Sequence, residues 1–133
     1  MERVPGLKIL VVDDEPVILR TTRLVLEHSG YSVVTAPSAE EALVLCQTID
    51  GTLSLVISDI SMPGMNGRDF ANCVSALPRP IPVILMSGFS ETSPLLKGLH
   101  GGRMDNIRFI AKPFRAKDLL DLVSLAISES ASN

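Results

Sequence analysis

The chain has 133 residues, 46% hydrophobic and 20% charged, and its 12 Lys plus Arg against 15 Asp plus Glu give a formal charge of −3. These values fit one globular domain over residues 1–133, with its core from about Leu7 to Ile127, and exclude a disordered or fibrous chain. No basic stripe tracks a phosphate backbone and no apolar run approaches the roughly 18 residues that span a bilayer, so neither nucleic acid nor membrane is an expected partner and a cytoplasmic protein is expected.

Five short apolar runs have the length and composition of strands: Leu7–Val12, Tyr31–Thr35, Leu53–Ile57, Ile81–Met86 and Ile107–Ala111. The first leads into Asp13, Asp14 and Glu15, then into a helix spaced by Val17, Thr21, Leu24 and His28, which Gly30 should stop. After the second strand, Ser38 and Glu41 form a capping box, opening a helix that carries Ala42, Leu43 and Cys46 and ends near Gly51. The third runs straight into Asp59, after which Pro63, Gly64, Asn66 and Gly67 break the chain before a third helix. The fourth ends at Ser87, and a fourth helix starting at Ser93-Pro94 is weakened by Gly98 and Gly101-Gly102. The fifth ends in Lys112-Pro113 and a last helix follows. Strands alternating with helices imply right-handed crossovers and a parallel sheet covered on both faces. Cys46 and Cys73, both in helices, read as small buried hydrophobes, and His28 and His100 as helix-end or surface residues.

In such a sheet the carboxyl ends of all five strands open on one edge, where open α/β sheets bind ligands. Asp13, Asp14, Asp59, Ser87 and Lys112 all fall there. A lone Asp or Ser at a strand end is as well explained by turns and caps, but that explanation does not produce acids on strands one and three with a hydroxyl on four and an ammonium on five. Two carboxylates at contact distance repel by about 4 kcal/mol at an effective dielectric of 20, so a cation is required. All-oxygen ligands suit Mg²⁺, and the cationic surroundings suit a phosphoryl group.

The segments ILVVDDEP, SDISMPGMNG, MSG and FIAKPF resemble the signature of the response-regulator receiver domain of two-component signalling, over nearly the whole chain. The resemblance implies a flavodoxin-like (βα)5 three-layer sandwich with a parallel five-stranded sheet of order 2-1-3-4-5. It implies that Asp59 is the phosphoacceptor, that Ser87 and Lys112 contact the phosphoryl group, and that Asp14, Asp59 and the backbone carbonyl of Ser61 hold Mg²⁺, with Asp13 acting through a bound water. It further implies a switch formed by Ser87 and Phe109, and a structural Pro113 joined to Lys112 by a cis peptide bond that turns the ammonium into the acidic pocket. A histidine kinase or histidine phosphotransfer protein would be the donor and a protein the downstream target, with a homodimer face along the fourth helix, fifth strand and fifth helix.

One departure stands out: 112 − 87 = 25 positions separate Ser87 from Lys112, a few more than the family usually has, which puts partner choice and dimer geometry in question. With FIAKPFRAKDLLDLV, that segment is reminiscent of receivers fused to hybrid sensor kinases. Only SESASN follows Ile127, too short for an effector, so any signal should leave through a surface of this domain or through a parent chain. Three alternatives compete. A Mg²⁺-dependent aspartyl-phosphate phosphatase needs a second acid two residues after the nucleophile, where Ser61 stands. A flavodoxin would find its flavin phosphate repelled by the first acidic loop. A pseudo-receiver would bind partners without phosphorylation, although all the chemical residues are present.

Overall fold

The computed structural model describes residues 8–48, 53–78, 81–87 and 107–131. They form β1 (Lys8–Val12), α1 (Pro16–His28), β2 (Ser32–Ala36), α2 (Ala39–Thr48), β3 (Leu53–Asp59), α3 (Gly67–Ser75), β4 (Val83–Ser87), β5 (Ile107–Ala111) and α4 (Ala116–Ala131). The strands make one parallel sheet of order β2-β1-β3-β4-β5, as the resemblance implies. The expected fourth helix, with Ser93, Pro94, Gly98, His100, Gly101 and Gly102, lies outside the described residues, as does Gly51.

Side chains alternate across each strand, and the sheet uses both sets. Ile9, Val11, Leu55, Ile57, Ile84 and Met86 pack against Leu26 of α1 and Leu119, Val123 and Ala126 of α4. Leu10, Val12, Val56, Val83 and Leu85 face the other way, onto Ala39 and Ala42 of α2 and Phe70, Ala71 and Val74 of α3. Hence β1, β3 and β4 read as nearly continuous apolar runs, and a three-layer α/β/α sandwich results. Each large side chain fully buried in these layers contributes about 1.5–3 kcal/mol.

Helix ends follow local chemistry. Gly30, at φ 97°, takes the left-handed turn that ends α1, with its N–H donating to the Glu27 carbonyl at 2.9 Å and that of Tyr31 to Leu26 at 3.1 Å. Ser38 Oγ accepts from the Glu41 N–H at 3.2 Å, as the capping box requires.

The structure decides the face of α1 and corrects the expectation for Cys73. The helix spaced by Val17, Thr21, Leu24 and His28 exists, but that stripe faces outward, with Val17 64% and Leu24 53% exposed. Positions 18, 22 and 26 turn inward instead, because the sheet takes the stripe that places Leu26 over Ile9 and Val11. Cys73 is exposed rather than buried, since Phe70, Ala71 and Val74 occupy the inner face of α3. Cys46 is half-buried, and burial pushes its thiol up to about 11, which keeps it protonated and inert.

Candidate functional site

Strand register builds the site. β1 and β3 pair with Val12 opposite Ser58, so Asp13 and Asp59 emerge side by side at the carboxyl edge of the sheet. Asp13 continues the ladder, its N–H donating to the Ala36 carbonyl at 3.2 Å, while its carboxylate Oδ1 accepts from the Glu15 N–H at 2.9 Å. Asp13 is fully buried and Asp59 4% exposed, whereas Asp14 is exposed. One carboxylate oxygen from each of the three lies within 4.8 Å of the others.

On the other side, Ser87 pairs with Ala111, and the Lys112 N–H donates to the Ser87 carbonyl at 2.8 Å. The Lys112 Nζ reaches Asp59 Oδ1 at 3.0 Å and Asp13 Oδ2 at 3.9 Å. Ser87 is buried at the end of β4. The Lys112–Pro113 peptide bond is cis, as the resemblance implies. Phe109, opposite Leu85, lies two residues before the end of β5 and is half-buried against the α2/α3 side of the core.

Ser61, exposed, opens the loop between β3 and α3. At its base the Gly67 N–H donates to the Ile60 carbonyl at 2.7 Å, and Gly67 packs so tightly that a Cβ there would collide with the Asp59 carbonyl oxygen and lie 2.7 Å from Ile60 Cα. Asn66 caps α3, its Oδ1 accepting from the Asp69 N–H at 2.8 Å. Two participants escape sequence reasoning. Ser58 Oγ donates to the Asp59 carbonyl at 2.9 Å, and Glu40 Oε2 accepts from the Met65 N–H at 3.1 Å. Glu40 lies 25 positions from its partner, so no local pattern announces it.

Burial, opposed by the Glu15 N–H and reinforced by the Asp59 charge, pushes the Asp13 carboxyl up from 3.8 to about 6. Partial burial pulls the Lys112 ammonium down, but its hydrogen bond to Asp59 and the charges of Asp59 and Asp13 hold it above the ordinary lysine value. Three ionised carboxylates against one ammonium leave two negative charges, and Asp13 Oδ2 is buried without a hydrogen-bond partner. Hard oxygen donors with that residual charge fit a divalent cation such as Mg²⁺. Beside Lys112, an apolar groove is lined by Ile18, Thr21, Val25, Pro113, Phe114 and Leu119. Among the described residues no helix is long and apolar enough to cross a membrane.

Comparison with known proteins agrees with this geometry. The family model of the response regulator receiver domain matches residues 9–124. The two-component response regulator ARR11 of Arabidopsis thaliana is 40% identical over 114 residues, 86% of this chain and 21% of that protein. The two-component response regulator ORR26 of Oryza sativa subsp. japonica is 36% identical over 117 residues, 88% of this chain and 19% of that protein. The chain thus spans about a fifth of the length of these relatives. Among solved structures, a response regulator receiver domain protein from Clostridium thermocellum superposes with a TM-score of 0.82 at 29% identity, covering 93% of this chain and 96% of that one. The receiver domain of the hybrid histidine kinase CckA gives a TM-score of 0.73 at 28% identity, covering 90% and 98%.

Proposed function

Because the chain belongs to the response-regulator receiver family, a signalling domain with a phosphoacceptor role rather than a classical enzyme, we propose that Asp59 takes the phosphoryl group. The donor is a histidine kinase or histidine phosphotransfer protein, in the cytoplasm. The observation that carries this reading is the placing of a buried Asp59 with Lys112 at 3.0 Å and oxygens of Asp13 and Asp14 within 4.8 Å.

In the transfer, one Asp59 oxygen forms a P–O bond as the P–N bond to the donor imidazole breaks. The imidazole then takes a proton from solvent. No general base is needed, since a carboxylate is ionised at neutral pH. The transition state is loose and demands alignment and charge neutralisation more than covalent help. Asp14, Asp59 and the Ser61 carbonyl, with Asp13 through water, are the groups that would hold Mg²⁺, which supplies positive charge to the phosphoryl oxygens when bound. Lys112 shifts from pairing with the Asp59 carboxylate to the phosphoryl group, and the Ser87 hydroxyl donates to a phosphoryl oxygen.

The new charge draws the end of β4 inward, and Phe109 moves into the space vacated. Output leaves along β5 and α4 and the segment before them, toward a protein target or a second copy of the chain. The groove beside Lys112, lined by Thr21 with exposed Val17 and Leu24 one helical turn to either side of it, is the surface a donor's apolar face would cover. Whether the domain works alone or inside a hybrid kinase, the same surfaces serve.

Incubation with Mg²⁺ and a small phosphodonor, followed by intact-mass measurement, tests the core of this. One added phosphate, absent in Asp59→Asn and in excess chelator, is expected. An unmodified wild-type protein, or modification that survives Asp59→Asn, overturns it.

A further inference from the structure

We propose that Glu40 is a positioning residue for the cation-binding loop, acting through the backbone of Met65. The inference rests on reading Asp13, Asp14, Asp59 and the Ser61 carbonyl as a divalent-cation site. Glu40 lies in the first turn of α2, yet its Oε2 accepts from the Met65 N–H at 3.1 Å, across 25 positions of chain. The same oxygen covers Gly64, where an added Cβ would lie 2.9 Å away, and Gly64 itself takes a φ of 76°. Hydrogen bonds therefore hold the loop at three places: its base by Gly67 on Ile60, its far end by the Asn66 cap, and its tip by Glu40.

Ser61 lies between base and tip. Pro63 has no N–H to offer, so the peptide planes from 61 to 65 depend on their anchors for orientation. A carboxylate acceptor makes the tip anchor a charge-assisted bond, roughly twice as strong as a neutral one. With that anchor removed, the tip keeps only the packing of the half-buried Met65 side chain, and the aim of the Ser61 carbonyl relative to Asp14 and Asp59 spreads. The core beneath is unaffected, because Met62 and Phe70 stay buried on their own contacts.

Two variants separate reach from charge. Glu40→Asp keeps the charge but draws the acceptor back by one methylene, whereas Glu40→Gln keeps the reach and loses the charge. Mn²⁺ binding, followed by electron paramagnetic resonance of the free ion, is the readout, together with the Met65 amide resonance and metal-free melting. Glu40→Asp is expected to weaken Mn²⁺ binding about tenfold, the low end for residues that orient metal ligands, and to move the Met65 resonance, with metal-free melting close to wild type. Glu40→Gln, a neutral acceptor at the same reach, should bind more weakly than wild type but more tightly than Glu40→Asp. Wild-type binding by Glu40→Asp, or binding by Glu40→Gln as weak as that of Glu40→Asp, overturns the role. Failure of the underlying site shows differently, as Mn²⁺ binding that survives Asp14→Ala.

Discussion

Lys112 Nζ lies 3.0 Å from Asp59 Oδ1 and 3.9 Å from Asp13 Oδ2, so one ammonium faces two buried carboxylates. Its raised pKa means that this charge stabilises the fold at every pH below the ordinary lysine value. Lys112→Met should therefore destabilise the metal-free protein at pH 8 by about 2 kcal/mol, less than the 3–5 of a fully buried pair because solvent reaches the lysine. At pH 5 the loss should shrink, since protonation of Asp13 relieves the stranded charge. Thermal or urea melts at the two pH values give the comparison, and an equal loss at both would discredit the pairing.

Asp13 carries the opposite sign. Its folded-state value of about 6 exceeds its ordinary 3.8, so ionising it costs stability, a cost absent below about pH 4 and fully present above about pH 6. That rise corresponds to at most about 3 kcal/mol. Asp13→Asn keeps an oxygen for the Glu15 N–H and should be more stable than wild type at pH 8 in chelator, with the gap closing toward pH 4. Adding Mg²⁺ should narrow the gap from the other side by stabilising wild type more strongly. A variant less stable than wild type at pH 8 would refute the burial argument.

Gly67 touches Asp59 through backbone. A methyl group there meets the Asp59 carbonyl and Ile60 Cα, neither of which can swing aside. Gly67→Ala is expected to cost about 3 kcal/mol, the upper end for overpacking, and to slow phosphorylation by small phosphodonors because Asp59 is displaced. Chemical denaturation measures the first effect and intact mass over time the second.

Exposed Val17 and Leu24 sit one helical turn either side of Thr21, which lines the groove beside Lys112. Replacing both with Glu should slow transfer from a phosphorylated histidine donor by tenfold or more, on the order of one lost apolar contact or two, while leaving modification by a small phosphodonor unchanged. Equal slowing of both reactions would place the effect in the chemistry rather than in docking.

Hydrogen exchange can locate the output surface. With a phosphoryl mimic bound at Asp59, exchange should change in residues 88–106 and along β5 and α4, and Phe109→Ala should blunt that change without preventing modification. Changes confined to residues 15–29 would move the output to α1.

Much of the architecture was legible because buried parallel strands declare themselves as apolar runs, and the residues just past them, Asp13, Asp59, Ser87 and Lys112, needed only the sheet order to converge. The face of α1 was not legible. Val17-Ile18-Leu19 and Leu24-Val25-Leu26 offer apolar residues on two sides, and only packing against Ile9 and Val11 decides between them. Cys73 misled for a similar reason, since a small apolar residue in an amphipathic helix can sit on either face. Glu40 could not be found from sequence because its hydrogen bond to Met65 exists only once α2 and the loop before α3 are neighbours.

The rung from the Lys112 N–H to the Ser87 carbonyl, 2.8 Å long, ties together two residues that the sequence holds 25 positions apart. Pairing between β4 and β5 fixes the spacing of the two backbones, so the length of chain joining the strands does not enter it. Insertions and deletions between residues 88 and 106 therefore leave that backbone spacing unchanged. The joining chain can vary in length while Ser87 and Lys112 keep their register.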